Sequence, residues 1–264
     1  MLKTLFAIGL SSAILLGSSG FVPASAQDQA KSKETVKSKI QSKVKSQAKS
    51  KVEAKKKGSA AAPVVDPRSG ESETIVLFDG KSLDGWAGHF KYWSVENGEI
   101  VGKNKAPIAV STYLLSERNF TDFRLKARVK LVESEMHSGI AFWGRVASER
   151  NDPATYAGHL VMFPSGWGMY DLYGRNGLPV DPAPAKKVGK QHDWNDLEIL
   201  AQGNRIRVAV NGTTVIDWRD PEPERIKAGP IALQLHSNQV PQEVRFKDLV
   251  IETFPKEDRL TTVK

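Results

Sequence analysis

Between Phe123 and Val132 the chain reads FRLKARVKLV, with Phe123, Leu125, Ala127, Val129 and Leu131 apolar and Arg124, Lys126, Arg128 and Lys130 charged. A strict period of two is what a half-buried strand demands, because successive side chains leave a pleated backbone on opposite sides. Comparable segments recur from Ile75 to Phe254, among them YWSVE (92–96), EIVGK (99–103), SGIAFWGRV (138–146), YAGHLVMF (156–163), DLEILAQ (196–202), RIRVAVN (205–211) and IALQLHS (231–237). Asn97-Gly98, Gly203-Asn204 and Asn211-Gly212 stand between them as hairpin turns, since these residues tolerate the positive φ of two-residue loops. No segment holds a 3.6-residue apolar period over three turns. The reading is all-β: two packed antiparallel sheets with jelly-roll connections, over residues 74–256, followed by a C-terminal tail at 257–264.

The N-terminal residues obey other rules. Lys3, an apolar run from Leu5 to Leu16 and then Ala24-Ser25-Ala26 have the layout of a Sec signal peptide over residues 1–26, with cleavage after Ala26. The run is shorter than the roughly 20 residues that span a bilayer, and no later stretch is apolar enough to span one. A periplasmic or secreted protein, with no transmembrane span after cleavage, is expected. The chain has no cysteine, which removes disulfides, thiolate catalysis and cysteine-based metal sites.

Residues 27–73 are rich in Lys, Ser and Ala and lack aromatic residues, as a disordered linker does. Residues 31–57 hold 11 Lys against Glu34 and Glu53, a density that suits contact with an anionic envelope surface. From Thr74 to Lys264 there are 25 basic and 24 acidic residues, so the net charge of +8 belongs almost wholly to the linker. Specific nucleic-acid binding is disfavoured, because it needs a basic face on the fold itself.

FDGKSLDGW (78–86), followed by WSVENGEIVG (93–102), resembles the entry of the 3-keto-disaccharide hydrolase domain family. This family has a concanavalin-like β-sandwich and occurs in bacterial secreted and periplasmic proteins. The likeness continues through HSGIAFWGR (137–145), TYAGHLVMF (155–163) and GPIALQLHS (229–237). It implies a sugar site on a concave sheet lined by those three segments. The family's Asn, Arg, Glu, Gln and Asp positions are occupied here by His137, Trp143, Ala157, His159 and Leu235.

On that resemblance His159, His236 and Arg145 are the candidate catalytic residues, with Trp143, Gln234, Asp171, Tyr173 and His137 as candidate substrate-binding residues. The implied chemistry is elimination: a 3-ketone acidifies the C2 proton, a base removes it, the glycosidic oxygen leaves C1, and water adds back. It needs a base, a proton donor and an enolate stabiliser. The resemblance names no cofactor; His159, His236 and Asp171 are the candidate ligands for a divalent metal, although residues on separated strands form no spacing motif. Asp196 and Glu198 imitate the alternate carboxylates of retaining glucanases, but sit on a scaffold strand and read as structural. A carbohydrate is the expected partner, and two functions stay open: an enzyme cleaving 3-keto-glycosides, or a non-catalytic carbohydrate-binding or envelope-interaction module on the same fold.

Overall fold

The computed structural model describes residues 62–133, 137–147, 154–163 and 168–264. The expected signal peptide and most of the expected linker, including the basic tract, lie outside the described residues. Among the described residues two antiparallel sheets pack face to face. The first runs β13 (Thr213–Arg219), β12 (Arg205–Val210), β11 (Asn195–Gln202), β6 (Phe123–Glu133), β15 (Gln242–Thr253), β4 (Glu99–Asn104) and β3 (Trp93–Glu96), with β1 (Thr74–Val76) also pairing with β15. The second runs β10 (Asn176–Gly177), β9 (Met169–Asp171), β8 (Tyr156–Phe163), β7 (Ser138–Val146), β14 (Gly229–Leu235), β5 (Thr112–Phe120) and β2 (Trp86–Ala87). A single helical turn and a half, α1 (Ala183–Val188), crosses near the sheet edge. No described helix is long and apolar enough to cross a membrane.

The period-two pattern sets the layers. Phe123, Leu125, Ala127, Val129 and Leu131 of β6 meet Ile140 and Phe142 of β7, and Ile231, Leu233 and Leu235 of β14, in one core between the sheets. Each fully buried Leu, Ile or Phe contributes about 1.5–3 kcal/mol. Asn97 and Gly98 (φ 53° and 76°) and Asn211 and Gly212 (φ 49° and 81°) take the paired positive φ of type I′ turns. Gly203 alone is positive (φ 59°) at the third hairpin.

The domain boundaries shift outward at both ends. Residues 62–73, expected as linker, form a strap on the first sheet: Asn204 accepts from the N–H of Val65 (3.1 Å) and donates to the carbonyl of Pro63 (2.7 Å). Arg68 pairs with the buried carboxylate of Asp122 (2.9 Å), and the N–H of Glu73 donates to Thr253 (3.0 Å). The tail at 257–264 is held as firmly. The fully buried carboxylate of Glu198 accepts from the backbone N–H groups and hydroxyls of Thr261 and Thr262, and also pairs with Arg124 (3.0 Å). Burial pushes the Glu198 carboxyl up, yet these four donors outweigh it and hold it below the ordinary glutamate range. Glu198 therefore anchors the tail, and the wet face expected for β6 is dry at Arg124.

A chain shortened to begin at Ser72 is thus expected to lose stability relative to one beginning at Ala61. Asp122 would keep its bond from the N–H of Gly203 (2.6 Å) but lose both bonds from Arg68. Arg68 is partly exposed, which reduces the effect to about 1–3 kcal/mol. Urea unfolding of the two lengths checks this; equal midpoints would show that the strap is passive.

Candidate functional site

The outer face of the second sheet carries a cleft of about 560 Å³ lined by Val110, Ser111, Tyr113, His137, Leu160, Tyr170, Leu172, Arg175, Gln234, His236 and Ser237. Strand register builds it. Gln234 of β14 lies directly across from Tyr113 of β5, and its side-chain N–H donates to the Tyr113 hydroxyl (2.9 Å). Leu233 of β14 lies across from Ile140 of β7, so the same antiparallel register, continued past the strand ends, brings His236 to His137. Their ring centroids are 4.4 Å apart. On the other side Leu160 of β8 lies across from Tyr170 of β9, and the turn after β9 supplies Arg175, held at φ 56°. Ala141 and Ala232 pair in the middle.

Backbone contacts fix the rim. Ser138 donates to the carbonyl of Gln234 (2.6 Å), Gln242 donates to the carbonyl of His137 (3.2 Å), and Ser111 accepts from the N–H of Ser237 (2.9 Å). Ile108 and Asn238 form a bridge that ties the loops before β5 and after β14 together. The two imidazoles are therefore set by strands and strand ends, which hold side chains more rigidly than long loops do.

Electrostatics favour neutral bases here. Desolvation pushes the His137 imidazole down to about 4, and the neighbouring His236 adds to the shift. His236 is lowered by burial as well, with a backbone group of Ser237 opposing. Both rings are unprotonated at neutral pH. Tyr113 is pushed up to about 12 by burial, against the Gln234 hydrogen bond and the charge of Arg175, so its phenol stays a proton donor. No carboxylate stands among the described lining residues.

Five candidates from the sequence fall elsewhere. Trp143 was expected to bind substrate, but the β7–β8 register shifts between Phe142 and Arg145, and Trp143 adopts φ 54°. The bulge turns the indole inward, where it is fully buried and donates to the carbonyl of Thr121. Gly144 makes this local path feasible, since a Cβ there would meet the carbonyl oxygen of Ala157 at 1.9 Å. His159 shares parity with Val161 and Phe163, and these apolar neighbours direct it into the core. It is fully buried against Phe142 and Trp143, with Nε2 2.6 Å from the Asp220 carboxylate.

Asp171 accompanies it: a buried residue, it pairs with Arg225 (3.0 Å), which also reaches Asp220 (3.3 Å). Tyr173 is half-buried over Arg225, and its hydroxyl donates to the carbonyl of Trp143 (3.1 Å). Arg145 is exposed at the end of β7 remote from His137. His159, Asp171, Asp220 and Arg225 form a structural network that ties β8 and β9 of the second sheet to the segment following β13 of the first. His159 and Asp171 lie on the opposite side of the second sheet from His236, so the three do not form a common ligand set. Among the described residues no group of three or more His, Asp or Glu side chains is placed to hold a metal ion.

The structure does bring His137, Gln234 and His236 together. Tyr113, Tyr170, Arg175, Ser111 and Ser237 were missed. Tyr113 carried a signal, because it alternates with the core residue Leu114 in TYLLSE; Arg175 carried none, being placed by a turn.

Residues 73–252 match the family described as the 3-keto-alpha-glucoside-1,2-lyase-like domain. The chain belongs to that family. Its match spans all strands that build the cleft, so the 3-keto-alpha-glucoside-1,2-lyase-like domain is a carbohydrate-active, glycosyl-hydrolase-like unit in this chain too. No curated protein sequence matches the chain. Among solved structures, a proposed glycosyl hydrolase from Parabacteroides distasonis is 18% identical with a TM-score of 0.50, covering 69% of this chain and 99% of that one. A second from the same organism is 21% identical with a TM-score of 0.49, covering 68% and 93%. The carbohydrate-binding module CBM66 from Bacillus subtilis is 14% identical with a TM-score of 0.41, covering 64% and 96%. At these identities the likeness speaks for fold alone, and of the three only the first reaches a TM-score of 0.5.

Proposed function

We propose that the domain cleaves 3-keto-glycosides by elimination at C1–C2 followed by hydration, in the cleft on the second sheet. The observation that carries this reading is the neutral His137–His236 pair beside a protonated Tyr113 in a cleft whose described lining has no carboxylate. A glycosidase of the paired-carboxylate type has no acid or base there. Removal of the acidified C2 proton asks only for a base of moderate strength, and an unprotonated imidazole suits it.

In this reading His236 takes the C2 proton, the C2–H electron pair moves into a C2–C3 double bond with the charge on the C3 oxygen, and this enolate then collapses back to the ketone, forming the C1–C2 double bond as the C1–O bond breaks. Tyr113, kept protonated by burial, stands as proton donor to the departing oxygen. Arg175 carries the positive charge that stabilises the enolate oxygen. Water then adds at C1 while C2 regains a proton. Tyr170, Ser111 and Ser237 offer hydroxyls and a ring face to the rest of the sugar. The reading includes export to the periplasm or medium, supported by the leader-like residues 1–26, and contact of the basic tract at 31–57 with anionic surfaces.

Incubation with a 3-keto-disaccharide in D2O, with and without a chelator, tests it. Release of the 3-keto-sugar carrying deuterium at C2 is expected, and cleavage without deuterium would overturn the elimination. Binding without turnover would favour the non-catalytic alternative.

The pH dependence is specific. A base with a lowered pKa stays unprotonated until the pH falls through that value, so kcat/KM should hold level from pH 7 to below the ordinary histidine value of about 6.5. Loss of activity centred at 6.5 would remove the desolvated histidines from the role of base.

A further inference from the structure

On the outer face of the first sheet, away from the cleft, three arginines meet. Arg205 and Arg207 alternate along β12, and Arg205 lies directly across from Arg219 of β13. Like charges so placed repel. Arg205 is neutralised in place by a two-pronged pair with Asp217 (2.7 and 2.5 Å). Arg219 reaches only the side-chain oxygen of Asn204, at 3.4 Å, among its described partners.

Arg207 is the unusual member. It is only 8% exposed, and its Nη2 donates to Gln202 (2.7 Å), yet its buried Nε finds no hydrogen-bond partner among the described residues. A buried donor left unsatisfied costs free energy and calls for an explanation. These groups line a pocket of about 110 Å³ walled by the strap at Val64–Pro67 and by Asp258 of the tail. At about 30 Å³ per water molecule, that space suits one tetrahedral oxyanion. The carboxylates of Asp66 and Asp258 stand on the wall but are exposed, where water screens them.

We propose that this pocket binds a tetrahedral oxyanion, sulfate or phosphate, through Arg207 and Arg219. The planar guanidinium offers paired donors to such an anion, and two of them with Arg205 alongside make a convergent cradle. Burial and the neighbouring Arg205 and Arg219 lower the proton affinity of Arg207, against Asp258 and Asp217; a bound anion would relieve that cost.

The test follows the Nε–Hε resonance of Arg207 in the whole 264-residue chain, titrated separately with sodium sulfate and sodium phosphate at ionic strength held constant with chloride. Saturable displacement at millimolar concentration or below is expected. Arg219→Gln should raise the half-saturation concentration at least about tenfold, in line with loss of a charge-assisted hydrogen bond. Both proteins keep the 11 lysines at 31–57, so diffuse attraction to that tract cancels in the comparison. A third titration uses a sugar monosulfate: tighter binding than inorganic sulfate identifies a group carried on sugar, and equal binding identifies the free ion. Should Arg219→Gln fail to fold, Arg207→Lys, which keeps the charge and removes Nε, replaces it, read by the rise in melting temperature with sulfate. No displacement by any of the three probes, equal displacement by chloride, or an unchanged half-saturation in the variant would overturn the proposal.

Discussion

Replacing Asp220 by alanine is expected to lower the unfolding free energy by about 3–5 kcal/mol, the range for removing one partner of a buried charged pair. The carboxylate is fully buried. It faces His159 Nε2 at 2.6 Å, accepts from the N–H of Glu222 at 2.8 Å, and receives Arg225 at 3.3 Å. Its loss leaves a fully buried imidazole without its acceptor and a guanidinium with Asp171 as its remaining inner partner. For a domain of this size the melting temperature should fall by on the order of 10 °C. Urea unfolding at pH 7 measures it, with Asp220→Asn as the shape-preserving comparison; a loss below about 1 kcal/mol for alanine would show that the network is dispensable. The sign with pH follows from the same contacts. Burial pushes the Asp220 carboxyl up, but the His159 bond, the Glu222 N–H and the charges of His159 and Arg225 prevail and lower it. Its stabilisation is therefore complete above the ordinary aspartate value of about 3.9 and is lost as the pH falls through the lowered folded value.

His236→Ala is expected to reduce kcat/KM on a 3-keto-disaccharide by about 10²–10⁴-fold, the usual cost of losing a general acid or base. Stability should change little, because the residue lies at the half-exposed rim beyond β14 and its described ring contact is with His137. Removing it also takes away one cause of the lowered His137 value, so His137 should titrate at higher pH in the variant. Kinetics and an NMR titration of the same sample check both. Turnover unchanged in a folded variant would exclude His236 as the base.

Much of the sandwich is written in the chain. The alternation in β6 reflects a buried face and a wet one, and the Asn-Gly pairs mark turns because few other residues tolerate two successive positive φ values. The position of His159 was legible by the same rule, since Val161 and Phe163 share its parity; alignment with a family pattern pointed it to the wrong face. Trp143 was not legible. One inserted position around Gly144 reverses parity, and nothing in SGIAFWGRV states that the partner strand will slip there. The strap at 62–73 escaped for a different reason: its attachment consists of polar bonds to Asn204, Asp122 and Thr253 instead of apolar burial, and such bonds leave no periodic trace. The His137–His236 contact joins residues about a hundred positions apart, and only sheet order reveals it.

The strap and the tail have a practical meaning for handling the protein. Pro63 is bonded beside the β11–β12 hairpin and Lys264 donates to the carbonyl of Gly212 at the β12–β13 hairpin, both on the first sheet. A resin, fluorophore or fusion partner joined at either end of the described chain would sit behind the sandwich. The face that carries the cleft would stay open to large polymers, which makes terminal immobilisation a sound format for screening glycans against the intact domain.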